Sequence, residues 1–466
     1  MAIATINPAS NTTIEEFEEF TDEHVDDCIA SADLAYRHWR KVDAGERAAF
    51  LARAGELMIE RTDRFASLLT MEMGKLIGEA KGEVALAASI LKYYADNGED
   101  MIEDEPLQVD DGSALVRTMP IGPLLGVMPW NFPLYQVVRF VGPNLLLGNT
   151  VLIKHASICP QSAAALEELF RDAGAPAGVY TNLLVSGSKI SRIIDNPKIR
   201  GVSLTGSEGA GASVGERAGK NLKKSVLELG GSDPFVVLDD GGDFDRLIDA
   251  AVTGRMANTG QSCVASKRFI VVSELYERFV SALARAFGAL VPGDPTVENT
   301  TLGPLSSEQA AQDLDELVRD AVDKGANAVV GGHRLDRAGA YYEATVLTGV
   351  SEEMRAFSEE LFGPVAVVYS VAGVDDAVKL ANSSPYGLGS TVYSKDVDAA
   401  RAVADRLDTG MVWINHPTAT APELPFGGVK NSGYGRELSH YGIGEFANHK
   451  LVRVVPLEST ITGAGG

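Results

Sequence analysis

Cys263 combines a reactive side chain with sequence surroundings that suit chemistry. It ends the segment NTGQSC (258–263), whose small and polar residues come just before the apolar run KRFIVVS. A polar, glycine-containing loop favours a partly exposed sulfur that a substrate can reach, and such a sulfur reacts as the thiolate. A single cysteine in an intracellular protein is more often a small core residue. The flanking residues are what make Cys263 a candidate nucleophile.

A candidate base for that thiol is Glu228, in the segment LELGGSDPF (227–235). Two glycines follow the acid and permit close approach of a ligand to the backbone. A carboxylate in a partly apolar cleft has a raised pKa and can act as a general base near neutrality. We expect Glu228 in a loop between the end of an apolar helix, SVLEL, and a strand. The alternative is a solvated loop carboxylate.

Short apolar runs that end at Gly or Pro must position these two residues. From Gly122 onward, GPLLGVMPW, NTVLIKH and RGVSLTG alternate with helical stretches, and after Gly231 the alternation resumes with DPFVVLD, KRFIVVS and MVWINH. Short buried strands that alternate with helices predict a parallel sheet covered on both faces. The sequence therefore predicts an α/β protein with two such domains, joined near 230–232.

The first hundred residues have a different pattern. Apolar residues recur at helical spacing from Asp27 to about Asn97, after an acidic segment at 15–27 that we expect to form an exposed turn. Residues 102–121 are extended and polar, which predicts a strand excursion outside the core.

Length and charge limit the possible functions. A chain of 466 residues predicts two or three domains. The net charge of −23 argues against nucleic acid as a partner. The surplus of acidic residues is typical either of a protein adapted to high salt or of an ordinary acidic enzyme, and both readings stay open.

Segment composition and cysteine use bear on the compartment. No uninterrupted apolar run is long enough to span a membrane, and the N-terminus lacks the pattern of a signal peptide. The three cysteines are far apart, which predicts no disulfide framework. We therefore expect a cytoplasmic protein.

Seven segments together resemble the aldehyde dehydrogenase superfamily, and most closely its succinate-semialdehyde dehydrogenase subfamily. Their order and spacing match over nearly the whole chain. They are MPWNFP (128–133), VLIKHAS (151–157), LTGS (204–207), LELGGSDPF (227–235), NTGQSC (258–263), EELFGPV (359–365) and PFGGVKNSGYGRE (425–437).

The resemblance implies an aldehyde dehydrogenase-like α/β fold with two Rossmann-like parallel-sheet domains and a β-strand oligomerisation excursion. The implied cofactor-binding domain spans 1–101 and 121–230, and the implied catalytic domain spans 231–446. Segments 102–120 and 447–458 are the implied oligomerisation strands, the first pairing with the second of another subunit in a homodimer or homotetramer.

The resemblance also implies the reaction, which is NAD(P)+-dependent oxidation of a small aldehyde, here succinate semialdehyde, to its carboxylate. Cys263 is the implied nucleophile and forms a thiohemiacetal and then a thioester. Asn131 and the backbone N–H of Cys263 are the implied oxyanion hole, a role that suits a neutral amide donor. Glu228 is the implied base that activates water for hydrolysis of the thioester.

The implied cofactor contacts lie in four of the motifs. Lys154 and Glu360 resemble the residues that hold the adenosine ribose and the nicotinamide ribose. Ser207 begins a helix after a strand, and a helix N-terminus attracts phosphate. The glycines there do not form a G-x-G-x-x-G fingerprint, which fits this superfamily. The remaining implied contacts are Pro129, Trp130, Gly206 and Phe362.

Ser157 departs from the pattern of NAD-preferring members, which often carry Glu three residues after the lysine. Without that carboxylate nothing repels a 2′-phosphate, and a hydroxyl can donate to it. The sequence therefore predicts that NADP is accepted and favoured over NAD. The alternative is that Ser157 is only the N-cap of the following helix.

The substrate is less clearly indicated. A four-carbon acid aldehyde needs a cation, and Arg139 lies where such members often place one, although it could be a surface arginine. A second arginine is expected six residues before the catalytic cysteine, where this chain has Ala257. We expect His416, Thr418 and Thr420 to line the aldehyde tunnel, and the histidines show no metal-ligand spacing.

Two alternative functions stay open. One is an acylating dehydrogenase that passes the thioester to coenzyme A, although Glu228 favours water as the acceptor. The other is a non-enzymatic relative with the same fold, against which the presence of Cys263, Glu228 and Asn131 argues.

Overall fold

The first hundred residues form a small ribbon and four helices. The structure is a computed structural model and describes residues 3–459. The elements here are β1 (Ile3–Asn7), β2 (Thr12–Phe17), α1 (Asp22–Trp39), α2 (Ala44–Glu60), α3 (Thr62–Met73) and α4 (Ile77–Met101). The expected turn at 15–27 is wrong, because Glu15 and Glu16 belong to β2. Its backbone pairs with β1 while its side chains stay exposed, so the acidic residues need no burial.

The next stretch contains the first α/β unit, preceded by the predicted strand excursion. Its elements are β3 (Glu105–Leu107), β4 (Ser113–Pro120), β5 (Pro123–Val127), α5 (Tyr135–Leu147), β6 (Thr150–Lys154), α6 (Pro160–Asp172), β7 (Tyr180–Asn182), α7 (Ile190–Asp195), β8 (Gly201–Thr205), α8 (Glu208–Lys220) and β9 (Lys224–Glu228). The segment SVLEL was expected to end a helix, but β9 covers most of it. Val226 and Leu227 are buried beside β8, and this burial favours a strand.

The second α/β unit follows directly. Its elements are β10 (Asp233–Val237), α9 (Phe244–Met256), β11 (Ser266–Val272), α10 (Ser273–Gly288), α11 (Glu308–Asp323), β12 (Asn327–Val330), β13 (Thr345–Thr348), α12 (Arg355–Ser358), β14 (Val365–Val371), α13 (Val374–Asn382), β15 (Tyr386–Gly387), β16 (Thr391–Tyr393), α14 (Val397–Ala404), β17 (Trp413–Ile414), β18 (Val429–Lys430), β19 (Gly433–Tyr434), α15 (Ser439–Glu445) and β20 (Ala447–Val454).

Two sheets form the centres of these units. The six-stranded sheet has the order β19-β9-β8-β5-β6-β7, and all its pairs are parallel except β19 with β9. The seven-stranded sheet has the order β12-β13-β14-β11-β10-β16-β17, and only β12 is antiparallel. The first sheet therefore takes an edge strand, β19, from a segment that the sequence places in the second domain.

Helix α5 is the central helix of the first unit. All of its residues are buried, and it packs against α4 and the sheet. A helix that is buried on every side belongs inside a large core, although α5 also carries the polar residues Gln136, Arg139 and Asn144. Among residues 3–459, no helix combines the length and apolar character that crossing a bilayer requires.

The excursion forms a separate three-stranded antiparallel sheet in the order β20-β4-β3. Strand β20 pairs with β4 over its whole length, with Leu451 opposite Val116. This corrects the expectation that the excursion pairs with the C-terminal strand of another subunit, because both strands belong to one chain. The pairing leaves β3 and β20 as the two edges of the sheet.

Candidate active site

A cleft opens where the two main sheets meet. The chain runs outward from β5 to β6 and β7 on one side, and then returns to β8 and β9 on the other. At such a reversal the loops after the central strands diverge and leave a crevice. A cavity of about 230 Å³ lies there, and it is lined by Pro129, Trp130, Asn131, Gln136, Thr205, Gly206, Ser207, Leu229, Gly230, Cys263, Glu360 and Phe362.

Cys263 enters this cavity from the loop before β11. Its side chain is half-buried, and burial raises the pKa of Cys263 to about 12. The loop begins with Asn258 and Thr259, both left-handed at φ of 56° and 55°. Such a conformation costs about 1–3 kcal/mol per residue and persists only where surrounding contacts enforce it. At neutral pH the sulfur is thus held in place as a thiol and needs a proton acceptor.

Asn131 faces Cys263 from the loop between β5 and α5. Its side-chain Nδ2 donates to the carbonyl of Gln261 at 3.1 Å. Its own backbone carbonyl accepts from Asn258 Nδ2 and from Lys75 Nζ, each at 2.9 Å. These bonds tie the Asn131 amide to the Cys263 loop, so the two groups keep a fixed relation.

A buried ion pair supports the Asn131 loop from below. Lys75 pairs with Glu83, and both side chains are only 1% exposed. Glu83 also accepts the backbone N–H groups of Leu134 at 2.9 Å and Tyr135 at 3.2 Å, at the start of α5. An anion at a helix N-terminus is favoured by the helix dipole. The pair therefore fixes both the loop and the helix that follows it.

Glu228 is the last residue of β9, not part of a loop, and it directly precedes Leu229 and Gly230, which line the cavity. It is 1% exposed, and neither carboxylate oxygen has a hydrogen-bond partner among the described residues. Burial raises the pKa of Glu228 well above its usual value, and the nearby Arg139 opposes that rise. The side chain can therefore hold a proton near neutrality and exchange it with a neighbouring group.

Arg139 does not lie on the surface. It is 1% exposed and pairs with Glu437, while its Nη1 donates to the Tyr135 hydroxyl at 2.8 Å and its Nη2 donates to Thr205 Oγ1 at 3.3 Å. The Tyr135 hydroxyl in turn lies 3.2 Å from Thr420 Oγ1. The surface-arginine alternative is therefore wrong, and Arg139 is not among the residues that line the cavity at Cys263.

The other predicted tunnel residues are partly dispersed. Thr420 lines a second cavity of about 340 Å³, between the 410–414 segment and the 419–426 loop. Thr418 is half-buried and donates to the Ser390 carbonyl at 3.5 Å. His416 is exposed, and its Nδ1 lies 2.7 Å from the Pro417 carbonyl. Only Thr420 is thus connected by hydrogen bonding to the Tyr135–Arg139 pair.

One wall of the first cavity is aromatic and carries a carboxylate. Trp130 and Phe362 meet edge to face with ring centroids 5.6 Å apart. Glu360 accepts the Gly231 N–H at 3.1 Å and pairs with Lys267 at 3.0 Å. Ser207 caps α8, with its Oγ accepting the Ala210 N–H at 3.4 Å. A flat ring, a ribose and a phosphate would each find a suitable group on this wall.

Lys154 ends β6, the next strand of the sheet, and Ser157 lies in the loop after it. Burial lowers the pKa of Lys154, and no carboxylate among residues 3–459 lies within ion-pairing distance of its ammonium. The N-cap alternative for Ser157 is wrong, because α6 begins at Pro160 with Cys159 at the cap position and without a side-chain cap bond. Lys154 is half-buried, and a partly desolvated cation without a carboxylate partner favours an anionic ligand.

Several cavity residues were not among the sequence predictions. Gln136, Thr205, Leu229 and Gly230 line the cavity directly, beside the predicted motifs. Tyr135 also was not predicted, since it reads as an ordinary core aromatic. Lys267 could have been noticed, because a lysine at the start of an apolar strand such as KRFIVVS must find a partner when buried.

Comparison with known proteins gives one family. Its model, described as "Aldehyde dehydrogenase family", matches residues 1–452. The chain is 59% identical over 453 residues to succinate-semialdehyde dehydrogenase (NADP+) of Deinococcus radiodurans, covering 97% of this chain and 95% of that protein. It is 45% identical over 455 residues to succinate-semialdehyde dehydrogenase (NADP+) 1 of Mycobacterium tuberculosis, covering 97% and 99%.

A solved structure extends the similarity to three dimensions. The crystal structure of succinic semialdehyde dehydrogenase from Streptococcus pyogenes, in complex with NADP+, superposes with a TM-score of 0.95. The two chains are 44% identical, over 97% of this chain and 100% of the other. These similarities confirm the α/β fold that the alternation of strands and helices predicted.

Proposed function

The chain belongs to the aldehyde dehydrogenase family, and from this premise we propose that it oxidises succinate semialdehyde to succinate with NADP+. The observation that carries the proposal is the meeting of Cys263, Asn131 and Glu360 at one cavity, with Glu228 buried at the end of the adjoining strand β9. The two curated relatives from Deinococcus radiodurans and Mycobacterium tuberculosis carry this activity in their names.

The first chemical step is attack of the Cys263 sulfur on the aldehyde carbon. The thiol proton must leave, and Glu228 is a candidate acceptor because it is buried directly before Leu229 and Gly230, which line the cavity that Cys263 enters. The Asn131 amide and the Cys263 backbone N–H would stabilise the alkoxide. One such donor lowers the barrier by about 2.7–4 kcal/mol. A bound nicotinamide cofactor supplies the acceptor for the hydride that then leaves the former aldehyde carbon.

Hydrolysis of the resulting thioester needs an activated water. The two unpartnered oxygens of Glu228 could accept its proton once the carboxyl is ionised. General-base catalysis of this kind contributes about 10²–10⁴-fold to a rate. We therefore propose that water, and not coenzyme A, accepts the acyl group.

The residues of the cleft suit a phosphorylated nicotinamide cofactor. We assign the nicotinamide ribose to Glu360, the ring to the wall formed by Phe362, Trp130 and Pro129, and the pyrophosphate to Gly206 and Ser207. Lys154 would hold the adenosine ribose. Ser157 would donate to the 2′-phosphate.

We assign recognition of the substrate carboxylate to two hydroxyl groups, one of which is hydrogen-bonded to a buried cation. Tyr135 and Thr420 form a hydrogen-bonded pair, and Arg139 donates to Tyr135 from the buried side. A carboxylate would accept from both hydroxyls while Arg139 supplies positive charge. Thr418 and His416 would lie further out along the same loop.

The domain roles and the assembly are part of the same proposal. Residues 1–101 and 121–230 would form the cofactor-binding domain and 231–446 the catalytic domain, with 425–446 also completing the first sheet through β19. The two edges of the three-stranded sheet expose Leu107 and Leu451. Exposed apolar edges rarely persist unpaired, which supports a homodimer or homotetramer formed through this sheet.

The test is a steady-state assay of nicotinamide reduction with succinate semialdehyde and with butanal, each with NADP+ and NAD+. We expect the highest kcat/KM for succinate semialdehyde with NADP+, and no gain from added coenzyme A. A kcat/KM for butanal that equals or exceeds that for the acid aldehyde would contradict the substrate assignment. An acyl-coenzyme A product would contradict hydrolysis.

A further inference from the structure

Lys267 is a buried cation that the proposed chemistry leaves without a task. It is the second residue of β11 and is 1% exposed. Its Nζ donates to the carbonyl of Cys263 at 2.8 Å and to that of Ser262 at 2.9 Å, and it lies 3.0 Å from Glu360 Oε1. The ammonium therefore donates two hydrogen bonds to the Cys263 loop and forms an ion pair with Glu360.

The position of this contact follows from the topology. Cys263 and Glu360 precede β11 and β14, which are parallel neighbours, so both enter the cleft from the same edge of the sheet. Gly231 precedes β10, the neighbour on the other side of β11. A Cβ at Gly231 would lie 2.5 Å from the Cys263 carbonyl oxygen, so the close approach requires glycine. Three loops therefore converge around one ammonium group.

The charges that face Cys263 come from several elements. Burial is the main cause of the raised pKa of this thiol, and Lys267 is the cation that opposes it most, ahead of Arg139. Two carboxylates, Glu360 and Asp233, raise the pKa further, and the Tyr135 phenol also interacts with the thiol. Among the cations near Cys263, Lys267 thus lowers the pKa of the thiol most, and it is hydrogen-bonded to the same loop.

We propose that Lys267 is a positioning residue that holds the Cys263 loop and Glu360 at a fixed separation, and whose ammonium favours the thiolate form of Cys263. Productive geometry in an active site must be kept to within about 0.5 Å. A single group bonded to both partners gives that precision. The positioning role rests on the proposed function, because it concerns the residue assigned to the nicotinamide ribose. The effect of Lys267 on the thiol can be tested without aldehyde or cofactor.

The effect of Lys267 on the thiolate form of Cys263 is measured by alkylation of the thiol. Iodoacetamide reacts with the thiolate, so the rate reports how much thiolate is present at each pH. The background is Cys28→Ser, with peptide mapping to identify Cys263. We expect Lys267→Met to slow alkylation at pH 8 by at least about tenfold, which corresponds to a thiol pKa one unit higher. Glu360→Gln should accelerate alkylation, because it removes an opposing carboxylate.

The positioning role of Lys267 is tested by whether a substitution changes mainly kcat or mainly KM. Lys267→Met should lower kcat at least about tenfold, while KM for succinate semialdehyde changes less than about threefold. Lys267→Gln retains two N–H donors without the charge. It should therefore recover part of kcat at high pH, where the thiolate forms without help, yet alkylate as slowly as Lys267→Met at pH 8.

The next residue supplies the matched control. Arg268 is also buried on β11, but it donates to the carbonyls of Ser232, Leu380 and Ala381, away from the thiol. Arg268→Met should lower Tm and leave the pH profile of alkylation unchanged. An equal shift in Arg268→Met, or no shift in a folded Lys267→Met, would overturn the proposal.

Two further outcomes stay distinguishable. If Lys267→Met does not fold, the other two variants test the proposal. Lys267→Gln should slow alkylation and Glu360→Gln should accelerate it, and a change in the same direction in both would overturn the proposal. If the parent enzyme alkylates normally but oxidises no aldehyde, the proposed function fails, while the alkylation results still decide whether Lys267 favours the thiolate.

Discussion

At the scale of single residues, burial in and around the cleft favours the protonated, uncharged forms of two side chains. Cys263 and Glu228 both have raised pKa values because of burial, and Arg139 lowers both from the α5 side. Neither group is ionised without the help of neighbouring charges. The chemistry therefore depends on residues that never touch the substrate, as well as on those that do.

Glu228→Gln should separate the two halves of the reaction. Hydride transfer would still occur once per site, so a burst of about one equivalent of NADPH should precede turnover that is slower by about 10²–10⁴-fold. Rapid-mixing kinetics measure the burst. Glu445→Gln is the matched control, because Glu445 lies near Glu228 but its Oε1 is bonded to the Arg436 N–H. Absence of a burst in Glu228→Gln would give Glu228 an earlier role, in deprotonating the thiol.

The same substitution should change the pH dependence of stability. The folded-state pKa of Glu228 lies above its unfolded value, so the folded protein binds the extra proton. The folded state therefore loses stability as pH rises above the ordinary range of a glutamate. Glu228→Gln should raise Tm at pH 8 and leave it unchanged at pH 4, as measured by calorimetry. A lower Tm at pH 8 would mean that ionised Glu228 stabilises the fold.

Ser157→Glu should reverse the preference for cofactor. A carboxylate beside a 2′-phosphate is repelled, and such a contact costs several kcal/mol. We expect kcat/KM for NADP+ to fall at least about tenfold, while that for NAD+ stays within about threefold. Ser89→Glu adds the same charge on α4, far from the cleft, and should change neither value. A similar fall for both cofactors would contradict a 2′-phosphate contact at Ser157.

Tyr135→Phe should weaken recognition of the acid group alone. Removing a hydroxyl that donates to a charged group costs about 1.5–3 kcal/mol. KM for succinate semialdehyde should therefore rise about tenfold or more, with KM for butanal nearly unchanged. Tyr441→Phe, at a half-exposed tyrosine, is the control. Equal increases for the two aldehydes would move the carboxylate site elsewhere.

At the scale of elements, the site lies between the carboxyl ends of one parallel sheet and the amino ends of another. The loops after β5 and β8 face the loops before β10, β11 and β14. Each functional side chain therefore sits at the end of a buried strand that cannot shift without disturbing its neighbours. The Gly230–Gly231 turn is where these two edges come closest.

Gly231→Ala should impair catalysis more than folding. Its Cβ would lie 2.5 Å from the Cys263 carbonyl and 3.0 Å from Asp233 Oδ1, so the Cys263 loop would have to move. We expect kcat to fall at least about tenfold, since small displacements of a catalytic group are costly. Gly219→Ala in α8 meets nothing within 4 Å and should raise stability by about 0.5–1 kcal/mol. Unchanged kcat in a folded Gly231→Ala would show that the close approach is not needed.

Sequence patterns predicted the strand and helix alternation and the helix start at Ser207, because these depend on local periodicity and capping. They failed at SVLEL and at 15–27, where strand pairing with distant segments overrides local composition. The burial of Arg139 could not be predicted, since its partner Glu437 is almost three hundred residues away. Tyr135 was missed because its partner Thr420 is also distant in sequence, whereas Lys267 could have been noticed from its place at the start of an apolar strand.

At the scale of the whole molecule, charge is the dominant feature. The chain carries 64 acidic and 41 basic side chains. Most ion pairs, such as Arg64–Glu168, are at least partly exposed and contribute little individually. The surplus negative charge therefore repels itself across the surface and destabilises the compact state at low ionic strength.

Stability should rise with salt. Ions screen the repulsion over a Debye length of about 10 Å at 0.1 M and about 3 Å at 1 M. We expect Tm to increase steeply between low salt and about 1 M KCl and to level off above it. Sucrose at matched osmolality is the control for solvent exclusion, and an equal increase there would remove the electrostatic explanation. A Tm that is independent of KCl would favour an ordinary acidic enzyme.

The late position of β19 and β20 in the chain has a consequence for biosynthesis. The six-stranded sheet receives β19 from 433–434, and β4 receives its partner from Ala447–Val454. A ribosome must therefore release nearly the whole chain before the N-terminal unit can complete its hydrogen bonding. Until then, the exposed edges of β9 and β4 are available to any other strand, so translation speed and chaperone supply should limit the yield of folded protein.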